Sequence, residues 1–320
     1  MKRNQLIALF LVIIGVWSCR NDDDGLLDAE TVPPRTMSEV AIEDDAEIMA
    51  FLQTHFYNYE EFENPPIDFD FVIKFDTIAG DNADKTPIIS RPELKSVVIR
   101  EESATFGRED GEEIDHTLYY LEARMGVGES PTIGDNVVLQ YEGTLLDGTP
   151  FDGHNTPLNQ YLSGGLIRGY SNGVEKLHAG TGPIENGDGT VSFEDFGVGA
   201  IFIPSGLGYF SRPPQTSIIG AYAPLIFKIA LFAFEKDTDF DGDGIPSILE
   251  DLDGDGNLNN DNTDADTEPP TVFFPNHNDT DDDQDGIPTI DEIELDSDGN
   301  FVGFRDSDGD GIDDHLDNDN

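Results

Sequence analysis

Two patterns in this sequence place side chains where they could do chemistry. The stretch VVLQYEGTLLDGTPFDG (137–153) puts Phe151 and Asp152 side by side just after an Asp147-Gly148 turn. The unit D-x-D-x-D-G recurs in the last 84 residues. The first pattern combines an apolar ring with a polar rim, whereas the second offers carboxylate oxygens, which are the ligands that hard cations prefer.

The acidic units have the spacing of a cation-binding loop. DFDGDGIPSILE (239–250) recurs as DDDQDGIPTIDE (281–292) and DSDGDGIDDHLD (306–317), and DLDGDGNLNNDN (251–262) is a relative. Carboxylates at positions 1, 3 and 5 can surround one ion, and glycine at position 6 permits the sharp turn. The predicted metal ligands are Asp239, Asp241, Asp243, Glu250, Asp251, Asp253, Asp255, Asp281, Asp283, Asp285, Glu292, Asp306, Asp308, Asp310 and Asp317.

The units differ from an EF-hand loop because their hydrophobic residue usually falls at position 7, with proline after it in two copies. They resemble thrombospondin type 3 repeats and bacterial calcium-repeat stalks, and this resemblance implies structural calcium. The alternative is an acidic tail that is merely solvated. Since few residues here could form an apolar core, bound calcium would have to supply the folding free energy.

The charge of the chain excludes one class of partner. Asp and Glu number 67 against 17 Lys and Arg, so the formal net charge is -50. A nucleic-acid partner is not expected, since phosphate binding needs a basic surface. The acidic excess is concentrated after Lys236, where 29 acidic residues accompany a single base, Arg305. We therefore expect a domain boundary at 236–237, with a calcium-binding tail at 237–320.

The N-terminal residues predict export. Residues 1–18 have a short basic start and a short apolar run, which is typical of a signal peptide. The lone cysteine, Cys19, excludes an intramolecular disulfide. Its place after Ser18 resembles a bacterial lipobox, with Trp17 as a bulky departure, and implies lipidation and a stable hold on a membrane. The alternative is a transmembrane anchor with an incidental cysteine.

The tract RNDDD after Cys19 resembles the surface-export signal of Bacteroidetes lipoproteins, and the alternative is a flexible tether. We expect an outer-membrane lipoprotein of the cell envelope, exposed at the surface. Residues 19–37 are predicted to be a linker.

The region 38–114 is predicted to be an extension made of one helix and several strands. Ile48, Leu52 and Phe56 recur at helical spacing in EDDAEIMAFLQTHFYNYEEF (43–62). This helix would pack on its own domain or against a second copy of the chain. FDFVIKF (69–75), LKSVVIRE (94–101) and HTLYYLEAR (116–124) are predicted strands.

The region 115–236 predicts an α+β fold, an antiparallel sheet wrapped around one short helix. The Asp147-Gly148 turn indicates a hairpin. LIRGYSNGVEKLHAG (166–180) reads as the helix, with Gly180 as its C-terminal glycine. AIFIP (200–204) and PLIFKIALFAFE (224–235) read as strands, with Leu225, Phe227, Ile229 and Leu231 on one face. The excursion 181–197 would form a surface hairpin or narrow the access to a pocket.

Four blocks in this region, in this order, resemble those of FKBP-type peptidyl-prolyl isomerases. They are GDNVVLQYEGTLLDGTPFDG (134–153), LIRGYSNGVEKLHAG (166–180), IPSGLGY (203–209) and IIGAYAPLIFKIAL (218–231). The resemblance implies an FKBP-like fold, prolyl isomerase activity on prolyl-containing polypeptides, and no cofactor for catalysis. The pocket residues that it implies are Tyr141, Phe151, Asp152, Leu166, Ile167, Tyr170, Tyr209, Ile218, Ile219 and Phe227.

The resemblance also assigns roles to some of these residues. Asp152 would accept a hydrogen bond from the neighbouring tyrosine, Ile167 would offer its backbone N–H, and the Tyr209 hydroxyl would reach a substrate carbonyl. Two positions depart from the family. The pocket floor, usually tryptophan, is Tyr170, and a wall phenylalanine is replaced by Leu158, with Tyr161 close enough to substitute.

These patterns together predict a lipid-anchored prolyl isomerase that assists the folding of exported or envelope proteins. One rival is a non-catalytic binding module of FKBP fold within a surface motility, secretion or adhesion assembly. Another is a structural calcium stalk with a vestigial domain. Turnover of a prolyl peptide would distinguish the first reading from both rivals.

Overall fold

The computed structural model describes residues 35–268 and 273–318 of the chain. The predicted signal peptide, Cys19 and most of the predicted linker lie outside this part, so their assignments stay predictions. Within the described ranges, no helix combines the length and the apolar character that crossing a membrane requires.

An antiparallel sheet of six strands, in the order β3-β4-β9-β10-β5-β6, organises the chain. Three two-stranded pairs, β1-β2, β7-β8 and β11-β12, accompany it. The strands are β1 (His55–Tyr57), β2 (Phe75–Thr77), β3 (Leu94–Glu102), β4 (Glu113–Arg124), β5 (Asn136–Leu145), β6 (Pro150–Tyr161), β7 (Thr181–Glu185), β8 (Val191–Glu194), β9 (Gly197–Ile203), β10 (Leu225–Glu235), β11 (Ile293–Leu295) and β12 (Phe301–Phe304). The helices are α1 (Met37–Thr54), α2 (Tyr59–Glu63), α3 (Arg168–Val174) and α4 (Thr289–Glu292).

Both faces of the sheet centre are covered. Successive side chains of a strand point to opposite faces. On β9, Ile201 and Ile203 accordingly join one apolar cluster and Ala200 and Phe202 join another. Every residue of β9 is buried as a result. The first cluster includes the face of β10 that carries Leu225, Phe227, Ile229 and Leu231, which confirms the predicted alternation.

The short helix α3 packs closely on the first of these faces. A Cβ atom at Gly169 would lie 2.4 Å from the Ile203 side chain, and one at Gly173 would lie 2.5 Å from Ile201. The glycines therefore permit the close approach of helix and sheet. The helix ends at Val174, so the predicted role of Gly180 as its C-terminal glycine is wrong. Gly180 instead donates its N–H to the carbonyl of Phe232.

The N-terminal helix differs in extent from the predicted 43–62. It begins at Met37, after Thr36 accepts a hydrogen bond from the Glu39 N–H, and it ends at Thr54. The next residues, His55–Tyr57, are extended and pair with β2, so Phe56 is buried from a strand. The helix does not continue through His55, Phe56 and Tyr57, because Phe and Tyr side chains favour extended backbone.

The predicted strand FDFVIKF (69–75) is also mostly wrong, since only Phe75 belongs to a strand, β2. The strands predicted at 94–101, 116–124, 200–204 and 224–235 are confirmed within a few residues. The excursion after the helix forms the hairpin β7-β8, in which Phe193 stacks on Phe232 with ring centroids 5.2 Å apart. Its residues do not line the cleft described below.

A buried carboxylate of helix α1 joins the helix to the segment that follows β9. Asp44, which is 2% exposed, accepts hydrogen bonds from the N–H and the hydroxyl of Ser205, both at 2.7 Å. Ser205 begins a short turn that ends just before Tyr209. The N-terminal extension therefore supports the segment that carries one of the predicted pocket tyrosines.

Replacing Asp44 by asparagine should raise stability at neutral pH. Burial raises the pKa of Asp44 to about 6 despite its two hydrogen bonds. Protonated Asp44 stabilises the folded state. This contribution is fully present below the unfolded pKa near 3.8, and it is lost as the pH rises through the folded pKa of about 6. Asparagine can accept the same hydrogen bonds without titrating. We expect a gain of at most roughly 3 kcal/mol at pH 7, which vanishes at pH 4.

The measurement is denaturant unfolding of the parent and of Asp44→Asn between pH 4 and pH 7. Glu39→Gln, at an exposed position of the same helix, is the matched control. Parallel stability profiles for Asp44→Asn and its parent would contradict the expectation.

The acidic tail packs against the sheet rather than standing apart from it. The predicted boundary coincides with the end of β10 at Glu235, but 237–318 belongs to the same compact unit as the sheet. Thr238 donates its N–H to Asp135, and Phe240 stacks on Tyr161 with ring centroids 4.0 Å apart. A Cβ atom at Gly134 would lie 2.6 Å from the backbone nitrogen of Ile248.

Candidate functional site

A small cleft of about 120 Å³ opens between β5, β6, β10 and the start of α3. The residues that line it are Tyr141, Asp152, Gln160, Gly165, Leu166, Ile167, Tyr170, Tyr209 and Phe227. Seven of these nine belong to the predicted pocket; Gln160 and Gly165 do not. Residues far apart in the sequence are thus brought together as expected. We call this the aromatic cleft.

Phe227 is the centre of the aromatic cleft. The ring of Tyr170 meets it edge to face, with centroids 5.0 Å apart, and Tyr141 lies at 6.1 Å. Phe151 meets it with ring centroids 5.5 Å apart, also edge to face. Such arrangements are favourable for aromatic rings. Tyr170 is 3% exposed and packs in the main apolar cluster, so it forms the floor.

Two hydrogen bonds fix the polar rim. The Tyr141 hydroxyl donates to Asp152 at 2.9 Å, and the Tyr170 hydroxyl donates to Gln160 at 2.7 Å. Burial, followed by the hydrogen bond and the charge of Asp152, raises the pKa of Tyr141 to about 12. Burial also raises the pKa of Tyr170 well above its usual value and, with the charge of Asp152, raises that of Tyr209. These phenols therefore stay protonated and can donate hydrogen bonds at neutral pH.

Three predicted pocket residues do not line the aromatic cleft. Phe151 packs on Phe227 without lining the cleft, and Ile219 is buried in the apolar cluster that contains Phe227. The side chain of Ile218 is 58% exposed. Their roles as substrate contacts stay predictions.

Neither of the two β6 residues considered for the missing wall phenylalanine, Leu158 and Tyr161, lines the cleft. Leu158 is half-buried opposite Leu139 on β5 and does not line the cleft. The idea that Tyr161 substitutes as a wall residue is wrong, because its ring stacks on Phe240 of the tail. Gln160 takes the wall position from β6 instead.

Sequence reasoning missed Gln160 and a glycine behind the cleft. Gln160 has the same strand parity as Asp152, so period-two alternation could have placed it on the same face. Gly143 lies two residues after Tyr141 on β5. A Cβ atom there would lie 2.7 Å from the Phe151 ring and 3.1 Å from Phe227. An isolated glycine in a strand signals such a close approach.

A second hollow of about 410 Å³ adjoins the aromatic cleft and shares Gly165, Leu166 and Ile167 with it. Its other side includes Asn257, Asn259 and Asn260 of the tail. Tail side chains are therefore within reach of a polypeptide that extends out of the cleft.

Arg168 joins the sheet to the tail beside these two openings. Its guanidinium donates to the Glu101 carboxylate at 3.1 Å and to the carbonyl and carboxylate of Asp255 at 2.8 and 3.1 Å. The side chains of Arg168 and Glu101 are 12% and 3% exposed. This contact, the Arg168 bridge, directly follows Ile167, so it fixes the segment that edges the cleft.

Two larger hollows lie along 70–77 and the Glu142–Lys228 ion pair, with volumes of about 250 and 610 Å³. Of the predicted pocket residues, only Tyr141 contributes to either of them. The chemistry that the sequence predicts thus belongs to the smaller aromatic cleft.

The predicted metal ligands form clusters in the tail. In each of several groups, one ligand atom per residue lies within 4.8 Å of the others. Three groups are predicted loops, namely Asp239 with Asp241 and Asp243, Asp251 with Asp253 and Asp255, and Asp281 with Asp283 and Asp285. Two were not foreseen, namely Asp243 with Glu250 and Asp282, and Asp264 with Glu268 and Asp279. The predicted ligands Glu292 and Asp317 are buried.

The loops also share a backbone conformation. Asp239 accepts hydrogen bonds from Gly242 and Gly244, and Asp306 accepts the equivalent bonds from Gly309 and Gly311. Glycine at position 6 has a positive φ in every copy, at Gly244, Gly256, Gly286 and Gly311, with values of 99°, 77°, 97° and 101°. The predicted need for glycine at this turn is therefore met, including in the copy with Asp308 and Asp310.

Comparison with known proteins adds to this geometry. The family model for FKBP-type peptidyl-prolyl cis-trans isomerases matches residues 128–182. FK506-binding protein 1 of Dictyostelium discoideum is 34% identical over 114 residues, which cover 34% of this chain and 91% of that protein. Peptidyl-prolyl cis-trans isomerase Mip of Coxiella burnetii is 28% identical over 122 residues, 37% of this chain. The match spans only 45% of the Mip protein.

Among solved structures, a peptidyl-prolyl cis-trans isomerase from Pseudomonas syringae pv. tomato covers 46% of this chain and 84% of its own. It is 22% identical to this chain, with a TM-score of 0.32.

Proposed function

We propose that this chain, which belongs to the family of FKBP-type peptidyl-prolyl cis-trans isomerases, catalyses the isomerisation of X–Pro bonds in exported or envelope polypeptides. The observation that carries the proposal is the aromatic cleft, where a buried floor of Tyr170 and Phe227 meets the Tyr141–Asp152 hydrogen bond. The cleft needs no cofactor for this reaction.

The reaction needs an apolar cleft rather than a nucleophile. Rotation about a peptide C–N bond is opposed by a barrier of about 18–20 kcal/mol, because conjugation gives the bond partial double-bond character. The twisted transition state has lost that conjugation and is less polar than the planar amide. A dry aromatic site therefore stabilises the twisted state relative to the planar one.

The residues of the cleft would have different roles in this reaction. The rings of Phe227 and Tyr170 would contact the proline ring. Asp152 holds the Tyr141 hydroxyl and thereby orients the wall beside them. Tyr209, which lines the cleft and is protonated at neutral pH, can donate to a substrate carbonyl, as the family resemblance implies.

The test is a protease-coupled prolyl-peptide assay on the full chain in calcium. We expect a rate of cis–trans exchange that rises in proportion to the protein concentration. Binding of prolyl peptides without faster cis–trans exchange would support the rival binding module. Absence of both binding and turnover would support the calcium stalk with a vestigial domain.

We further propose that the tail binds structural calcium and that the chain is held on a membrane by a lipid on Cys19. The carboxylate clusters support the first part, since oxygen-only ligand sets suit calcium. The lipobox-like sequence supports the second.

Replacing Cys19 by serine should leave an uncleaved or soluble precursor without a lipid label, because serine offers no thiol for acylation. The measurement is membrane fractionation with fatty-acid labelling. Fractionation and labelling that match those of the parent would remove the anchor proposal.

A further inference from the structure

The tail segments 239–250 and 281–292 are called the first and second repeats. They differ at position 2, whose residue type the loop pattern does not specify. This residue is Phe240 in the first repeat and Asp282 in the second. Phe240 stacks on Tyr161 of the sheet. Asp282 is 1% exposed, so its carboxylate is buried although it belongs to none of the predicted loop sites. Position 2 therefore faces a neighbouring part of the molecule in both repeats.

The neighbours of Asp282 are two carboxylates of the first repeat. One oxygen each from Asp243, Glu250 and Asp282 lies within 4.8 Å of the other two. Asp243 and Glu250 are each 2% exposed. Glu250 was predicted to close the loop that begins at Asp239, but its partners are Asp243 and a residue of another repeat.

The three carboxylates lack the hydrogen bonds that buried polar groups normally make. Both oxygens of Glu250, both oxygens of Asp282 and Oδ2 of Asp243 are buried without a hydrogen-bond partner. Burying a carboxylate without a partner is strongly unfavourable, and burying three together adds mutual repulsion. The unpartnered oxygens point to a group that can satisfy all three.

The tail supplies no basic side chain for this purpose. Arg305 is the single Lys or Arg after Lys236, and its guanidinium donates to the carbonyls of Asp291 and Ile293. Lys236 pairs with Glu129. Since no such side chain balances the cluster within the described residues, a bound cation is the remaining source of positive charge.

We propose that Asp243, Glu250 and Asp282 bind one divalent cation of the hard, oxygen-preferring class that includes calcium, at a site shared by two repeats. The inference deepens the proposal that the tail binds calcium and rests on it. Asp243 also belongs to the first predicted loop, so the shared site adjoins that loop. The shared ion would tie the first repeat to the second.

Two double variants test the shared site in the full chain. Glu250→Gln with Asp282→Asn removes two proposed ligands at nearly constant volume. Asp266→Asn with Asp291→Asn removes the same charge from two exposed carboxylates of the tail and is the matched control. The measurements are the number of calcium ions bound per chain by equilibrium dialysis, and the thermal midpoint in chelator and in saturating calcium.

We expect the ligand variant to bind one calcium ion fewer than the parent and the control. In chelator, where the tail is unfolded and these carboxylates are in water, it should melt at the same temperature as the parent. In calcium it should melt at a lower temperature, because the ion is lost. This dependence of the difference on calcium separates ligation from a purely structural role, and the single variant Asp282→Asn should show the same dependence if the double variant folds poorly.

Equal calcium binding by parent and ligand variant, with equal shifts in the midpoint, would overturn the shared site and leave the predicted loops standing. A parent that binds no calcium would overturn the shared site and the tail proposal together.

Discussion

Removal of calcium from the full chain should unfold the tail while the six-stranded sheet remains folded. The tail carries 28 net negative charges on 84 residues, and its fully buried apolar side chains within the described range are few, namely Ile245, Leu258 and Ile293. Without a cation the clustered carboxylates repel one another, and so little apolar burial cannot offset the cost of ordering the backbone. The sheet, in contrast, has two large apolar clusters.

The measurement is amide hydrogen exchange of the full chain in calcium and in chelator. We expect protection to fall by about 100-fold or more in 239–317, whereas β9 and β10 keep theirs. Calcium should restore protection at about 10⁻⁴–10⁻³ M, the range of extracellular calcium modules.

Magnesium at the same ionic strength is the control. It demands tighter octahedral geometry and releases its water reluctantly, so it should restore protection poorly. Equal recovery with both ions would indicate simple charge screening and contradict calcium-specific loops.

Replacing Asp152 by valine should lower kcat/KM for a prolyl peptide by about 10- to 100-fold. The Tyr141 hydroxyl would lose its charged acceptor, and a small misplacement of a positioning group can lower a rate by about 100-fold. The substitution would also remove the negative charge of Asp152 near Tyr209. Because Asp152 is exposed and on a strand, where valine is favoured, the thermal midpoint should change little.

Two further variants make this prediction specific. Glu185→Val changes an exposed carboxylate on the β7-β8 hairpin, outside the cleft, and should leave kcat/KM unchanged. Tyr141→Phe removes the donor of the same hydrogen bond. If the pair acts as a unit, Tyr141→Phe combined with Asp152→Val should cost less than the sum of the two single changes. Additive losses, or a loss equal to that of Glu185→Val, would contradict the role of the pair.

The residues of the aromatic cleft were implied by the resemblance to FKBP-type isomerases, and local signals in the sequence agree with that assignment. The alternation of PLIFKIALFAFE placed Phe227 on the same face as Leu225, and the Asp147-Gly148 turn placed Asp152 across from β5. The spacing of the D-x-D-x-D-G units likewise placed three of the carboxylate clusters. For the tail, loop spacing alone decides which side chains converge, whereas for the cleft the resemblance was needed to join residues of different strands into one site.

The rest depended on contacts between residues far apart in the chain. The end of α1 at Thr54 was missed, because helical periodicity continues to Phe56 while pairing with β2 makes the next residues extended. Asp282 was missed for a similar reason. Its position in the loop pattern is free, and its importance comes only from the repeat that packs against it.

The Arg168 bridge has a consequence for the order in which the molecule is assembled. Asp255 lies beyond Phe227, the last residue of the cleft in chain order, so a polypeptide emerging N-terminus first contains every cleft residue before Arg168 gains its partner in the tail. The segment that edges the cleft is thus held from one side by Glu101 while the chain is being synthesised, and from both sides only after the tail has been made. A fragment cut at Lys236 would keep every residue of the cleft in the half-supported form, so it cannot stand in for the finished protein.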